Sequence, residues 1–179
     1  MKKFFCLILV FTLLSAFLVS CSGYNKNMRD YLKNKDNYRT CEVYLKDFYY
    51  IDPLSDEKKQ DFIDQTSLDT SVILEVSFFN SIEELEPFLG GSPNENIPLE
   101  EYTFQFCVTK DNTNILLSNG FFNDITIGEK LSVKVSDYIY MDSEFFYVAQ
   151  LEYNGKKYLN FEKGLENIVN MMNENRSLF

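Results

Sequence analysis

The 179-residue chain contains no histidine and no tryptophan. Without imidazole there is no Ser-His-Asp or Cys-His machinery, no imidazole general base, and no His-ligated zinc or haem. Cationic residues are also few. Lys and Arg number 17 against 27 Asp and Glu, a formal net charge of −10. A surface of that sign repels phosphate backbones. Its densest basic groups, Lys33-Asn34-Lys35, Lys58-Lys59 and Lys156-Lys157, do not form the stripe that a nucleic-acid site needs, so nucleic acid is not expected as a partner. Recognisable catalytic sequence is missing too. No Gly-x-Ser-x-Gly elbow occurs, and Gly90-Gly91-Ser92 lacks the Gly-Lys-Ser/Thr continuation of a phosphate loop. There is no internal repeat and no low-complexity block.

What the chain does have begins at its amino end. Lys2-Lys3 precede a run of low polarity from Phe4 to Val19, broken only by Thr12 and Ser15. A short cationic start, an apolar stretch and a small residue at its close read as a secretory signal. The run is shorter than the ~20 residues a bilayer core requires, and no stop-transfer charges follow it. It ends in Leu18-Val19-Ser20-Cys21, followed by Ser22-Gly23.

That segment resembles the signal of bacterial lipoproteins, whose lipobox runs aliphatic, small or aliphatic, small, then Cys. The resemblance covers about the first two dozen residues. It implies a diacylglycerol thioether on Cys21, cleavage that frees its amino group, and often a further acyl chain. One acyl chain holds a protein to a membrane only marginally, whereas two give stable retention. The expected address is the cell envelope, outside the cytoplasm, with the membrane itself as the first partner through Cys21. The expected organisation is a signal over 1–20, a tether or short helix over 21–37, and one globular domain over 38–179.

Removing residues 1–20 takes 179 residues to 159, the size of one ordinary domain. It also removes Lys2 and Lys3, taking the net charge from −10 to −12. Of the four cysteines, Cys6 leaves with the signal and Cys21 carries lipid. Cys41 and Cys107 remain, each in an apolar, strand-like run. They form either one disulfide, as exported domains permit, or two separate buried thiols.

Met28, Tyr31 and Leu32 share a helical spacing in the polar lead-in, where a solvated spacer is the rival reading. Cys41, Val43, Leu45, Asp47 and Tyr49 alternate with a mixed parity, as in a half-buried strand. Thr70 to Asn80 and Glu101 to Lys110 also read as strands, as do Leu131 to Tyr140 and Phe145 to Tyr153. Ser55 opens a short helix or turn, and Ser81-Ile82-Glu83-Glu84 carries a capping-box pattern. Asp111-Asn112-Thr113-Asn114 has turn chemistry, as do Ile125 to Lys130 and Asp142-Ser143. Asn154-Gly155 accepts positive φ at both centres of a type I′ turn, and sets Glu152 opposite Lys157 and Leu151 opposite Tyr158. Leu165, Ile168, Val169 and Met172 form one apolar stripe of a closing helix. The fold class is therefore α+β: mainly antiparallel sheet or a small OB-like barrel, with a C-terminal amphipathic helix.

Carboxylates are the only titratable groups in quantity. Asp52, Asp56, Glu57, Asp61, Asp64 and Asp69 crowd one connection, but their spacing matches no EF-hand loop and reads as a solvated charged face. Glu83, Glu84, Glu86, Glu100 and Glu101 are candidates for a glycosidase pair only if two of them flank a sugar cleft. The aromatic doublets Tyr49-Tyr50, Phe78-Phe79, Phe121-Phe122 and Phe145-Phe146-Tyr147 send neighbours to opposite faces of a strand. Each second face is either covered by another element or left as a platform for protein, peptide or glycan. No catalytic, cofactor or metal residue is nominated. The expected function is a non-catalytic, lipid-anchored binding module with an envelope partner or external ligand. A surface enzyme using acidic residues on glycans is the alternative.

Overall fold

One extra residue in the first strand decides which side chains enter the core. β1 (Tyr38–Tyr50) points Cys41, Val43 and Leu45 inward. Its register against β2 (Thr70–Ser77) shifts between Leu45 and Asp47, so Lys46 is a bulge. Past it the parity reverses. Phe48 now faces Leu74 and packs on the inner cluster, whereas Asp47 and Tyr49 turn outward. Simple alternation had put that carboxylate on the face of Val43; the bulge spares it burial.

The computed structural model describes residues 29–50, 70–78, 88–89, 94, 97–98, 101–136 and 145–174. The signal, Cys21, the acidic connection at 52–69, the Ser55 and Ser81 helix starts and the Asp142 turn lie outside those residues.

β3 (Thr103–Thr109), β4 (Lys130–Ser136), β5 (Phe145–Tyr153) and β6 (Lys156–Leu159) join β1 and β2 in the order β3-β2-β1-β4-β5-β6. In addition, Gln105 to Cys107 of β3 pair in parallel with Phe145 to Tyr147 of β5. This contact closes the ring β1-β2-β3-β5-β4, a small OB-like barrel of mixed rather than purely antiparallel sheet. Closure also removes the edges that an open sheet would expose.

The barrel interior is filled by volume. Val43, Leu45, Val72, Leu74, Leu131 and Val133 supply branched walls, and phenylalanines fill the centre. Phe88 sits 4.9 Å from Phe78 and 4.9 Å from Phe146, centroid to centroid, and Phe106 lies 5.8 Å from Phe146. Their tilted and edge-on contacts are those that the ring quadrupole favours.

α1 (Lys110–Ser118) follows β3 directly, so the Asp111-Asn112-Thr113-Asn114 stretch is a first helical turn and not a β-turn. Thr109 caps it, its Oγ1 accepting the Asn112 N–H at 3.4 Å. Tertiary bonds override the local preference of Asn112. Its Nδ2 donates to the Val148 and Gly164 carbonyls, both at 3.2 Å, and its Oδ1 accepts from Asn167 Nδ2 at 2.8 Å. Gly120 (φ 76°) then reverses the chain into α2 (Phe121–Asp124).

The closing helix α3 (Phe161–Glu174) lies on the outer surface of the barrel. Leu165, Ile168, Met171 and Met172 cover Ile73, Cys107, Tyr147 and Ala149. The expected stripe is thus the docking face, with Met171 added to it and Val169 at its border. At Gly164 the helix comes so close that a Cβ would stand 2.0 Å from the Ala149 carbonyl oxygen. Residues 29–33 are helical, and Leu32 is fully buried in the same outer cluster. The buried Tyr38 hydroxyl donates to the Leu32 carbonyl at 2.9 Å.

The hairpin turn has positive φ at both centres, 49° at Asn154 and 73° at Gly155, and Glu152 does oppose Lys157. Leu151, however, opposes Leu159 rather than Tyr158. A second bulge admits Tyr158 to the inner core beside Phe121, ring centroids 5.2 Å apart. Of the two arrangements left open for Cys41 and Cys107, the structure has the separate buried thiols. Cys41 belongs to the inner cluster and Cys107 to the outer one, so the strand layer separates the two buried thiols and no disulfide joins them.

Candidate functional site

OB-like barrels hold oligonucleotides and oligosaccharides on the outer face of their second and third strands and on the flanking loops. Here Ile73 of β2 and Cys107 of β3 occupy that face, and α3 lies over both. The helix covers only that end of the face: Glu75 and Gln105, the next pair along it, stay partly exposed. The Phe146-Tyr147 doublet shows the same arrangement, with one ring inside the barrel and the other under the helix.

Tyr49-Tyr50 differs. Both rings stand at the end of β1, 40% and 43% exposed. Tyr50 leans on Phe122 of α2 at 5.2 Å and on Phe48 at 6.1 Å, and these two rings contact each other at 5.3 Å. Tyr50 is therefore held by neighbouring rings, and both tyrosines keep an open face. Burial pushes the Tyr49 hydroxyl pKa up, with Glu75, Cys107 and Asp47 adding to the effect, and burial also raises that of Tyr50. Both remain neutral hydrogen-bond donors at physiological pH.

Beside Tyr49 the outward side chains are polar. Asp47 directly opposes Glu75, which in turn opposes Gln105. Two carboxylates in register across strands repel each other. One Asp47 oxygen accepts the Phe48 N–H at 2.8 Å. Exposed rings next to carboxylates and an amide suit a ligand with apolar or sugar faces and hydrogen-bond donors. Of the other doublets, Phe121 is buried and Phe122 half-buried, while Phe79 lies outside the described residues.

A second polar group, not foreseen from sequence, ties the hairpin to α2. Asp124 Oδ2 accepts from the Tyr158 hydroxyl at 2.6 Å and from Lys156 Nζ at 2.9 Å. Lys156 Nζ also reaches the Asn119 carbonyl at 3.2 Å, while Asn119 Nδ2 donates to the Tyr158 carbonyl at 2.8 Å. The Tyr158 bond first, then the Lys156 bond, hold the Asp124 carboxyl below its usual range. The bond to Asp124 raises both the Lys156 and the Tyr158 pKa. At neutral pH the acid is charged, the amine protonated and the phenol neutral. That makes a clamp and supplies neither a base nor a nucleophile.

Next to this clamp a groove of about 340 Å³ runs between Ile115 of α1 and Asn119, which caps that helix, residues 157–159 of β6, and Asn160 and Lys163 at the start of α3. Among the described residues no group of three or more Cys, Asp or Glu is arranged to hold a metal, and no helix is long and apolar enough to cross a membrane.

The fold and these surfaces define a class: a small OB-like barrel whose second- and third-strand face is partly covered by a C-terminal helix, with an aromatic rim left open. No family model, no curated protein and no solved structure matches the chain.

Proposed function

We propose that this chain is a lipid-anchored cell-envelope protein, held outside the cytoplasm through an acylated Cys21, whose barrel is a non-catalytic binding module. Its partner is another envelope component or an external ligand, taken at the Tyr49-Tyr50 rim. The observation that carries the binding reading is the pair of adjacent, half-open tyrosines at the barrel end, next to the part of the second- and third-strand face that the helix leaves uncovered. The acidic balance favours a protein or glycan over a polyanion.

Chain geometry supports the arrangement. From Cys21 to Arg29, where the described helix begins, eight residue steps span at most about 28 Å. The folded part is thus kept close to the bilayer. β1 starts at Tyr38, near that entry, and its length carries Tyr50 up to about 40 Å away. This favours a rim facing away from the anchor.

The test uses the full chain in native membranes. A partner retained by wild type is released when Tyr49→Ala and Tyr50→Ala are combined, and is kept by Leu117→Ala, a change at an exposed residue elsewhere. Equal retention by both variants contradicts the rim assignment. A glycan-directed surface enzyme is the second reading, favoured by the facing Asp47 and Glu75 beside Tyr49. Turnover of cell-wall or oligosaccharide substrates that vanishes in Asp47→Asn or Glu75→Gln would replace the first reading with this one.

A further inference from the structure

The groove between α1, β6 and the start of α3 is distinct from the rim, and its chemistry is one-sided. Its hydrogen-bond acceptors are largely committed. The Ile115 carbonyl accepts from the Asn119 N–H at 3.0 Å and from Ser118 Oγ at 2.9 Å. The Asn119 carbonyl takes Lys156 Nζ, and the Tyr158 carbonyl takes Asn119 Nδ2. At Asn160 the backbone carbonyl accepts the Gly164 N–H at 2.9 Å, and Oδ1 accepts the Glu162 N–H at 3.0 Å. The Asn119 side-chain oxygen stays uncommitted.

The other groups left over are donors. Asn160 has its oxygen fixed on the helix, so its amide N–H groups face outward from that bond. Lys157 makes no ion pair among the described residues, although Glu152 opposes it across the hairpin. Lys163 bonds Glu166 at 3.0 Å, but both side chains are more than half exposed and solvent screens the pair. No carboxylate lines the groove, although the chain as a whole carries −10. The charged groups that line the groove are thus both cations, with Glu152 and Glu166 just outside it. Ile115 and Leu159 add apolar wall, and the volume falls at the lower end of the range for small-molecule sites.

We infer that this groove binds a small organic anion, a phosphate or carboxylate head joined to a compact apolar group, with Lys157, Lys163 and the Asn160 amide on the head and Ile115 beside the apolar part. Such a ligand supplies the acceptors that the groove lacks. The inference does not depend on the lipid anchor or on the tyrosine rim.

The experiment titrates the ¹⁵N-labelled full chain in detergent with phenyl phosphate, phenylacetate and benzylammonium. Saturable shifts of the Lys157, Asn160 and Lys163 amides are expected with one or both anions and not with benzylammonium. The two anionic arms distinguish phosphate from carboxylate recognition. Combining Lys157→Gln and Lys163→Gln, both surface changes, is expected to weaken binding roughly tenfold or more while leaving the remaining spectrum native. Three results overturn the inference: no saturable shift up to about 10 mM anion, equal binding of benzylammonium, or wild-type affinity in the natively folded double variant. The Tyr49 and Tyr50 amides are read in the same spectra, so failure at the groove is separable from failure at the rim.

Discussion

The two sides of the barrel wall are built on different terms. Inside, Phe78, Phe88, Phe104, Phe106 and Phe146 meet branched aliphatics, and the requirement is mainly that volume be filled. Outside, under α3, the requirement is closeness and polar matching. Gly164 lets the helix backbone reach Ala149, and the Asn112-Asn167 pair satisfies carbonyls that this approach buries. A filled interior is penalised most by an emptied volume. A seam set by backbone contact has nothing flexible to move.

The comparison can be broken from either side. Phe106→Ala empties the centre of the ring cluster and is expected to cost about 4 kcal/mol in denaturant unfolding of the full chain. A loss near 1 kcal/mol would show that the interior collapses around the gap. Gly164→Ala adds a single methyl outside and is expected to cost about 3 kcal/mol, because the obstacle is the Ala149 backbone. A near-neutral result would mean that α3 rides further from the barrel. Asn112→Ala leaves two buried carbonyls and the Asn167 amide without their partner, worth about 2 kcal/mol. A double-mutant cycle with Asn167→Ala then gives a coupling of at least ~0.5 kcal/mol if the two amides act as a unit.

The smallest effect concerns the clamp, whose Asp124 and Lys156 are about half exposed while the Tyr158 ring sits in the inner core. The Asp124 pKa is lowered in the folded state, so its contribution is complete above its unfolded value and is lost as pH falls through the folded one. Those of Lys156 and Tyr158 are raised, so theirs is complete below the ordinary values of 10.5 and 10.0 and is lost as pH climbs through the folded ones. Unfolding midpoints measured against pH should decline at both ends. Asp124→Asn should flatten the acid limb and weaken the alkaline one; an unchanged profile contradicts the clamp.

Local signals carried much of this fold. Asn154-Gly155 announces its turn because few residue pairs accept two positive φ values, and the stripe from Leu165 to Met172 announces a helix by its period. Features set by distant partners were not legible. The bulges at Lys46 and Tyr158 depend on the opposing strand, and each moves a side chain to the other face. Asn112 has turn chemistry in isolation and becomes helical because Val148, Gly164 and Asn167 take its amide. Barrel closure rests on a parallel contact between β3 and β5 that no neighbouring residues foretell.

The candidate sites divide in the same way. Tyr49-Tyr50 was visible as one of several aromatic doublets, but which doublet stays open depends on how far α3 reaches. The clamp and the groove join residues more than thirty positions apart, such as Asp124 with Lys156 and Asn119 with Tyr158. Their residue types are ordinary, and only the fold makes them neighbours.

Whether this barrel meets its partner beside a membrane turns on the amino terminus. Intact mass spectrometry of the protein recovered from its own cells should find a chain that starts at Cys21 and carries a diacylglyceryl group on that sulfur. A product that still begins at Met1, with the Cys21 thiol unmodified, would contradict the envelope address and with it the proposed orientation of the rim.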